Sequence, residues 1–75
     1  MNRPTSRLLD VTDTAKERLR RSPYIPVRSL SCEFDRGVLR LQGRLSSFYY
    51  KQLAQETVAG LSGVEQVVND VVVLG

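Results

Sequence analysis

Between Ser29 and Leu45 the sequence alternates apolar and polar residues on both sides of a short turn. Side chains two positions apart point to the same side of a strand, so each segment has one apolar face. Asp35-Arg36-Gly37 separates the segments, and Gly37 can supply the positive φ of a tight turn. The apolar members are Leu30, Cys32, Phe34, Leu39, Leu41 and Leu45. This pattern predicts a β-hairpin with strands near residues 28–34 and 38–45.

Apolar residues three or four positions apart precede the hairpin and predict a helix over residues 8–21, which Pro23 ends. Its start has two readings. Ser6 could cap the helix, or Thr14 and Glu17 could form a capping box that begins a shorter one. Residues 22–26 are then expected to form an extended connector to the hairpin.

A second helical pattern follows the hairpin and predicts a helix over residues 47–61. Ser46 or Ser47 can cap its start, and Gly60 or Gly63 can end it in a left-handed conformation. The intervening sequence Gly60-Leu61-Ser62-Gly63 has the G-x-x-G form of an RNA-binding loop, but it precedes a strand and contains no basic residue. We interpret it as the end of a helix.

The segment 65–74 is rich in valine and predicts a third strand. Both of its faces are apolar except at Asn69 and Asp70, so we expect it to be central in the sheet or covered on both sides. The order helix-strand-strand-helix-strand then predicts an α+β fold with both helices on one face of a three-stranded mixed sheet. Residues 1–7 are expected to be a flexible N-terminus, and residues 8–75 a single domain.

The distribution of charge and the missing residue types narrow the function. All 11 basic residues lie in residues 1–51, whereas residues 52–75 contain three acidic residues and no basic one. This asymmetry favours an anionic partner, although a solvated basic surface also explains it. Histidine is absent, so Ser46, Ser47, Tyr49 and Tyr50 have no activating base, and we expect no enzyme. The acidic residues lack metal-ligand spacing, and no cofactor or metal is expected.

Three further residues have structural interpretations. Cys32 is the only cysteine, and its position on the apolar side of a strand predicts a buried, unreactive thiol. Gly43 falls on an apolar face, where one of the two helices is expected to approach the sheet closely. Asn69 is expected to bond nearby backbone rather than a ligand.

A set of motifs resembles the BON domain family, named for bacterial osmotically induced and nodulation proteins. Two glycines with alternating aliphatic residues are followed, at the length of a helix, by Gly-Val-x-x-Val-x-Asn. The matching stretches are Gly37-x-Leu39-x-Leu41-x-Gly43-x-Leu45 and Gly63-Val64-x-x-Val67-x-Asn69. The resemblance covers about residues 8–74 and implies the same element order, no catalytic activity and a phospholipid-binding role. It implies structural roles for Gly37, Gly43, Gly63 and Asn69.

These observations predict a non-catalytic binding module whose first candidate ligand is an anionic phospholipid surface. The candidate contacts are Arg18, Arg20, Arg21, Arg40, Arg44 and Tyr49. A protein-interaction module is the alternative, and RNA ranks third because no RNA-binding motif supports it. No apolar stretch approaches the roughly 20 residues that span a bilayer, and no signal-peptide core follows the N-terminus. We therefore expect a cytoplasmic protein, with association with the cell envelope left open.

Overall fold

A computed structural model describes the backbone of residues 6–74 and the side chains of residues 11–74. Its element order confirms the α+β prediction of helix, two strands, helix and strand. The elements are α1 (Ser6–Arg20), a 3₁₀-helix (Ile25–Ser29), β1 (Ser31–Asp35), β2 (Val38–Gln42), β3 (Arg44–Leu45), α2 (Phe48–Thr57), β4 (Gln66–Asn69) and β5 (Val72–Val73).

The main sheet has the order β1-β2-β4, so β2 is central. β1 and β2 are antiparallel, whereas β2 and β4 are parallel and joined through α2. Arg40 on β2 stands opposite Glu33 on β1 and Val68 on β4. β3 and β5 continue β2 and β4 as a separate parallel pair. The three-stranded mixed sheet is therefore followed by a short two-stranded extension.

The turn between β1 and β2 has positive φ at two successive residues, 50° at Arg36 and 84° at Gly37. Paired positive φ values match the right-handed twist of the flanking strands, so the hairpin closes tightly. The carbonyl of Gly37 accepts hydrogen bonds from the backbone N–H groups of Glu65 and Gln66, at 2.7 and 3.1 Å. The turn thereby also fixes the point at which β4 joins the sheet.

One apolar core lies between the two helices and one face of the sheet. Ala15 and Leu19 of α1 and Ala54 of α2 are buried together with the inward side chains of the strands. The complete set is Ala15, Leu19, Val27, Leu30, Cys32, Leu39, Leu41, Leu45, Ala54, Val58, Leu61 and Val71. The strand residues of this set alternate with exposed or half-buried ones, so the opposite face of the sheet is open.

The ends of the helices differ from the sequence prediction. α1 already begins at Ser6, so the shorter helix with a capping box at Thr14 and Glu17 is wrong. Of the predicted flexible N-terminus over residues 1–7, Ser6 and Arg7 instead belong to α1, and residues 1–5 lie outside the described residues. α2 begins after Ser47 as predicted but ends at Thr57 instead of residue 61. Backbone bonds from Val58 to Gln55 and from Ala59 to Glu56 tighten this end into turns.

The connector and the strand bounds also need correction. Residues 22–26 are not wholly extended, because a 3₁₀-helix starts at Ile25 with Pro26 in its first turn. This helix buries Val27 and delays β1 until Ser31, three residues after the predicted start. β4 is at the edge of the sheet, so the expectation of a central or doubly covered strand is wrong. Beyond it, Val72 of β5 and the following Leu74 are 54% and 55% exposed.

Gly43 interrupts the predicted second strand and divides it into β2 and β3. Its φ of +142° is one that L side chains rarely adopt, and a Cβ there would lie 2.5 Å from Cδ2 of Leu30. The close neighbour is therefore the residue that follows the 3₁₀-helix, and not one of the two α-helices as predicted. The glycine allows Leu30 to enter the core beside the break in the strand.

Candidate functional site

Several large apolar side chains are exposed where the 3₁₀-helix meets the start of α2. Ile25 is 71% exposed, Phe48 73% and Tyr49 62%, while Tyr24 and Tyr50 are half-buried and pack against the core. We call these five residues the aromatic patch. Burial of such side chains is ordinarily favourable, so an exposed group of them marks a surface suited to a partner or a membrane.

Local hydrogen bonds place the residues of the patch. The Ser47 hydroxyl accepts a bond from the Tyr50 backbone N–H at 3.2 Å and caps α2, which puts Phe48, Tyr49 and Tyr50 in its first turn. On the other side, the buried Ser22 hydroxyl accepts from the Tyr24 backbone N–H at 3.0 Å. The patch is thus built on a helix start and an anchored connector.

The three tyrosines form a compact cluster within the patch. Ring centroids are 6.3 Å apart for Tyr24 and Tyr49, 6.0 Å for Tyr24 and Tyr50, and 5.8 Å for Tyr49 and Tyr50. The interplanar angles are 86°, 58° and 49°, which are edge-on or tilted contacts. Hydrogen bonding to Tyr24 is the main factor that raises the pKa of the Tyr49 phenol, and the negative charge of Glu56 acts in the same direction.

Basic side chains accompany the patch. The Lys51 ammonium lies 6.0 Å from the centre of the Phe48 ring, a cation–π distance. Arg28 is three residues after Ile25 in the 3₁₀-helix, where such side chains lie above one another, and its Nε donates to the Ser22 carbonyl at 2.7 Å. Arg44 is exposed on β3, in register with Val72 and on the side opposite the buried Leu45, so it is a candidate that the structure does not place in the patch. Among residues 11–74, no carboxylate lies within 4.0 Å of these three cations.

The candidate arginines of α1 already have partners within the protein. Arg20 and Arg21 both pair with the carboxylate of Glu17, Arg21 at 2.7 Å. These contacts lower the pKa of Glu17, with the Arg20 hydrogen bond as the largest cause. Arg18 donates to the Ala59 carbonyl at 3.3 Å and so connects α1 to the segment after α2. A surface groove of about 460 Å³ runs beside these residues, lined by Asp13, Thr14, Glu17, Arg18 and Arg21.

Arg40 lies on the open face of the sheet, opposite the helices. Its guanidinium binds the Asp70 carboxylate at 2.6 Å, and Glu33 is its neighbour in register on β1. A depression of about 320 Å³ on this face mixes both signs of charge and is lined by Glu33, Asp35, Arg36, Val38 and Arg40. The structure therefore does not bring Arg40 together with the arginines of α1 or with Tyr49 on one surface.

Asn69 makes contacts to backbone, as expected from the sequence. Its amide nitrogen donates to the Lys51 carbonyl at 2.9 Å and lies 3.3 Å from Oε1 of Gln55. Its amide oxygen accepts from the Val71 backbone N–H at 3.2 Å. Asn69 therefore joins α2 to the edge strand and shapes the step between β4 and β5.

The two other motif glycines are in close contacts. A Cβ at Gly37 would lie 3.0 Å from the Glu65 side chain, and one at Gly63 would lie 3.3 Å from Val11 of α1. Cys32 is buried, and this burial raises the pKa of its thiol against a smaller opposing effect of Lys16. Within the described residues, no group of three or more acidic or cysteine side chains is arranged to hold a metal ion.

Sequence reasoning identified Tyr49 but missed Ile25, Arg28 and Lys51. The signal for Ile25 was present, since it stands between two prolines that favour a surface turn. Arg28 was not singled out because the 3₁₀-helix that carries it was read as connector and strand. Lys51 was placed on the outer side of α2, but its position over Phe48 depends on geometry that the sequence does not show.

In the described part of the chain, no helix has the length and apolar character needed to cross a bilayer. A search of curated proteins found no match to this sequence. The family model described as BON domain matches residues 9–75, which is nearly the whole chain. BON domains are a family of non-catalytic binding modules that are thought to bind phospholipids. With its element order and its glycine motifs agreeing with that match, this chain belongs to the BON domain family.

Proposed function

We propose that this domain binds the surface of membranes that contain anionic phospholipid, with the aromatic patch as the contact. The observation that carries the proposal is the joint exposure of Ile25, Phe48 and Tyr49, at 71%, 73% and 62%, on one side of the molecule. Amphipathic aromatic rings favour the headgroup region of a bilayer, because their apolar part is buried while a hydroxyl stays hydrated.

The charges beside the patch support an anionic surface. Arg28 and Lys51 are free of carboxylate partners within residues 11–74, and each can contribute roughly 1 kcal/mol when close to anionic lipid. Arg20, Arg21 and Arg40 contribute less, since Arg20 and Arg21 share the Glu17 carboxylate and Arg40 pairs with Asp70, which offsets part of their charge. Binding is therefore weak, favours anionic over neutral vesicles and decreases with salt as the Debye length falls to about 8 Å.

Co-sedimentation with vesicles of phosphatidylglycerol and phosphatidylcholine, at low and physiological salt, tests the proposal. Replacing Phe48→Ser and Tyr49→Ser together should lower the bound fraction at least fivefold. The matched control is Val72→Ser with Leu74→Ser, which removes apolar side chains that are 54% and 55% exposed on β5 and directly after it, outside the patch. Equal losses in both variants, or no binding of the parent protein to highly anionic vesicles at low salt, would refute the proposal.

A protein-interaction role is the second candidate, and the edge of the sheet favours it. β4 has a strand on one side only, and Val72 and Leu74 beyond it are exposed apolar side chains. An edge strand offers backbone groups to a partner strand. This role predicts self-association or a partner complex that survives moderate salt and is lost in the Val72→Ser, Leu74→Ser variant.

A further inference from the structure

Ser22 and Arg28 are joined across the segment that carries Tyr24 and Ile25. The Ser22 carbonyl accepts a hydrogen bond from Nε of Arg28 at 2.7 Å. We propose that this contact orients Arg28 to bind the phosphate of an anionic lipid headgroup, with Nη1 and Nη2 donating to two phosphate oxygens. The inference rests on the membrane role proposed above, and it names the residue and the chemical group that make the specific contact.

The bond to Ser22 determines which donors of the guanidinium remain available. An arginine can offer phosphate either Nε together with one terminal nitrogen, or both terminal nitrogens, as a pair of parallel donors. In Arg28 the Nε donor is occupied, so the pair formed by Nη1 and Nη2 remains for a ligand. Among residues 11–74, no carboxylate lies within 4.0 Å of this guanidinium. Its free end therefore suits a phosphate group.

The acceptor of this bond is itself held in place. Ser22 is polar but only 4% exposed, and its backbone N–H donates to the Leu19 carbonyl of α1 at 3.2 Å. Its hydroxyl accepts from the Tyr24 backbone N–H at 3.0 Å. A long side chain ordinarily loses rotamer freedom when it binds a ligand, and a bond already made within the protein reduces that loss. Arg28 should therefore contribute more to binding than a freely moving cation of the same charge.

The position of Arg28 beside the aromatic patch brings it to the level of lipid phosphates. In the 3₁₀-helix it lies one turn after Ile25, which is about 6 Å along the axis. Ile25 is 71% exposed and Arg28 is also exposed, so insertion of Ile25 among headgroups leaves the guanidinium close to their phosphates. Lys51 provides the comparison, because its ammonium lies over the Phe48 ring and has no planar pair of donors.

Substitutions that keep the charge but change the donor geometry test the inference. Arg28→Lys should weaken binding to vesicles of phosphatidylglycerol and phosphatidylcholine about fivefold, nearly as much as Arg28→Gln, because lysine has no paired donors. The control is Lys51→Arg, which should bind within about twofold of the parent. Circular dichroism establishes that the variants fold. Parent-like binding by Arg28→Lys overturns the inference and leaves the membrane role intact. Failure of the parent to bind anionic vesicles refutes the membrane role, and this inference with it.

A second measurement separates phosphate contact from a structural role, since Arg28→Lys also removes the bond to Ser22. The side-chain nitrogen NMR signals of Arg28, assigned by their absence from Arg28→Lys, are followed as dihexanoylphosphatidylglycerol is added below its micelle concentration. The Nη signals should shift while the Nε signal stays in place. Unchanged Nη signals at saturating lipid would leave Arg28 a structural role only and overturn the inference. Nη shifts with inorganic phosphate but none with the lipid would assign the contact to free phosphate and overturn the lipid source.

Discussion

The two faces of the main sheet are made by alternating residues of the same strands, yet they differ in their exposure to solvent. The helix-covered face buries Cys32, Leu39 and Leu41, while the open face carries Glu33 and an Arg40 paired with Asp70. The covered face excludes water, so the stability of the fold should be sensitive there to the addition or removal of single atoms. The charged side chains of the open face are in contact with solvent, so this face should tolerate substitution. Neighbouring positions in the sequence can therefore differ sharply in their sensitivity.

The largest difference should appear in thiol labelling at adjacent positions of β1. Cys32 in the native protein should react with a thiol reagent at least about 100-fold more slowly than in denaturant, since access requires opening of the core. Burial also raises the pKa of this thiol and so reduces its thiolate fraction at a given pH. The control is Glu33→Cys in a Cys32→Ala background, which should label within about tenfold of its unfolded rate. Rapid labelling of native Cys32 would contradict the difference in accessibility between the covered face and the open face.

Substitution of Gly43 should show how tightly the covered face is packed. Gly43→Ala should lower the free energy of unfolding by about 2–4 kcal/mol, because it adds a strained φ and a contact with Leu30. Gly60→Ala is the control: its φ is also positive, +77°, but its Cβ would meet nothing within 4 Å. It should cost only about 1–2 kcal/mol. Equal urea midpoints for the two variants would exclude the packing role of Gly43.

Asn69 tests the covered face at its boundary with solvent. Asn69→Ala removes the bonds to the Lys51 carbonyl and from the Val71 N–H, and should cost about 1–2 kcal/mol in urea unfolding. Gln55→Ala removes only the 3.3 Å contact to Asn69 and should change stability by less than about 0.5 kcal/mol. If Asn69→Ala left the free energy of unfolding unchanged, water would replace both hydrogen bonds without loss of stability.

The smallest effect is expected on the open face. Arg40 and Asp70 form a 2.6 Å ion pair, but their side chains are 43% and 48% exposed. A double-mutant cycle with Arg40→Met and Asp70→Asn should give a coupling of about 0.2–1 kcal/mol, decreasing as salt is added. A coupling above about 2 kcal/mol, unchanged by salt, would show that this pair is shielded from solvent.

The order of elements was predictable because each segment has a clear hydrophobic period. Alternation around Gly37 identified the hairpin, and helical spacing identified both helices. The predictions that were wrong, for the valine-rich strand and for the connector, failed because tertiary contacts decide these features. The valine-rich segment appeared fit for the centre of a sheet, but chain connectivity places β2 there and leaves β4 at the edge. The 3₁₀-helix was missed because Pro23 before it and Pro26 within it also fit an extended connector.

The candidate site was less predictable, because it depends on which charges are already paired. Composition drew attention to Arg20, Arg21 and Arg40 as cations, whereas pairing offsets part of their charge. Glu17 has the helical spacing that pairs it with Arg20 and Arg21, but the Asp70 partner of Arg40 is visible only in three dimensions. For Arg40 the partner lies thirty positions away. The aromatic run was visible in the sequence, but the exposure of Phe48 and Tyr49 and the enclosure of Tyr50 follow from the rotation of α2 about its axis.

The step between β4 and β5 has a consequence for how the protein behaves at high concentration. The backbone N–H groups of Asp70 and Val72 point into the sheet, so that of Val71 points outward, where the Asn69 side chain accepts it. A flat valine-rich edge would otherwise be a template for fibrous aggregation. This edge contains no lysine or proline, the residues that commonly block such stacking. A single amide instead occupies one of the outward donors of this edge, so the Asn69 side chain leaves fewer backbone groups available to a second edge.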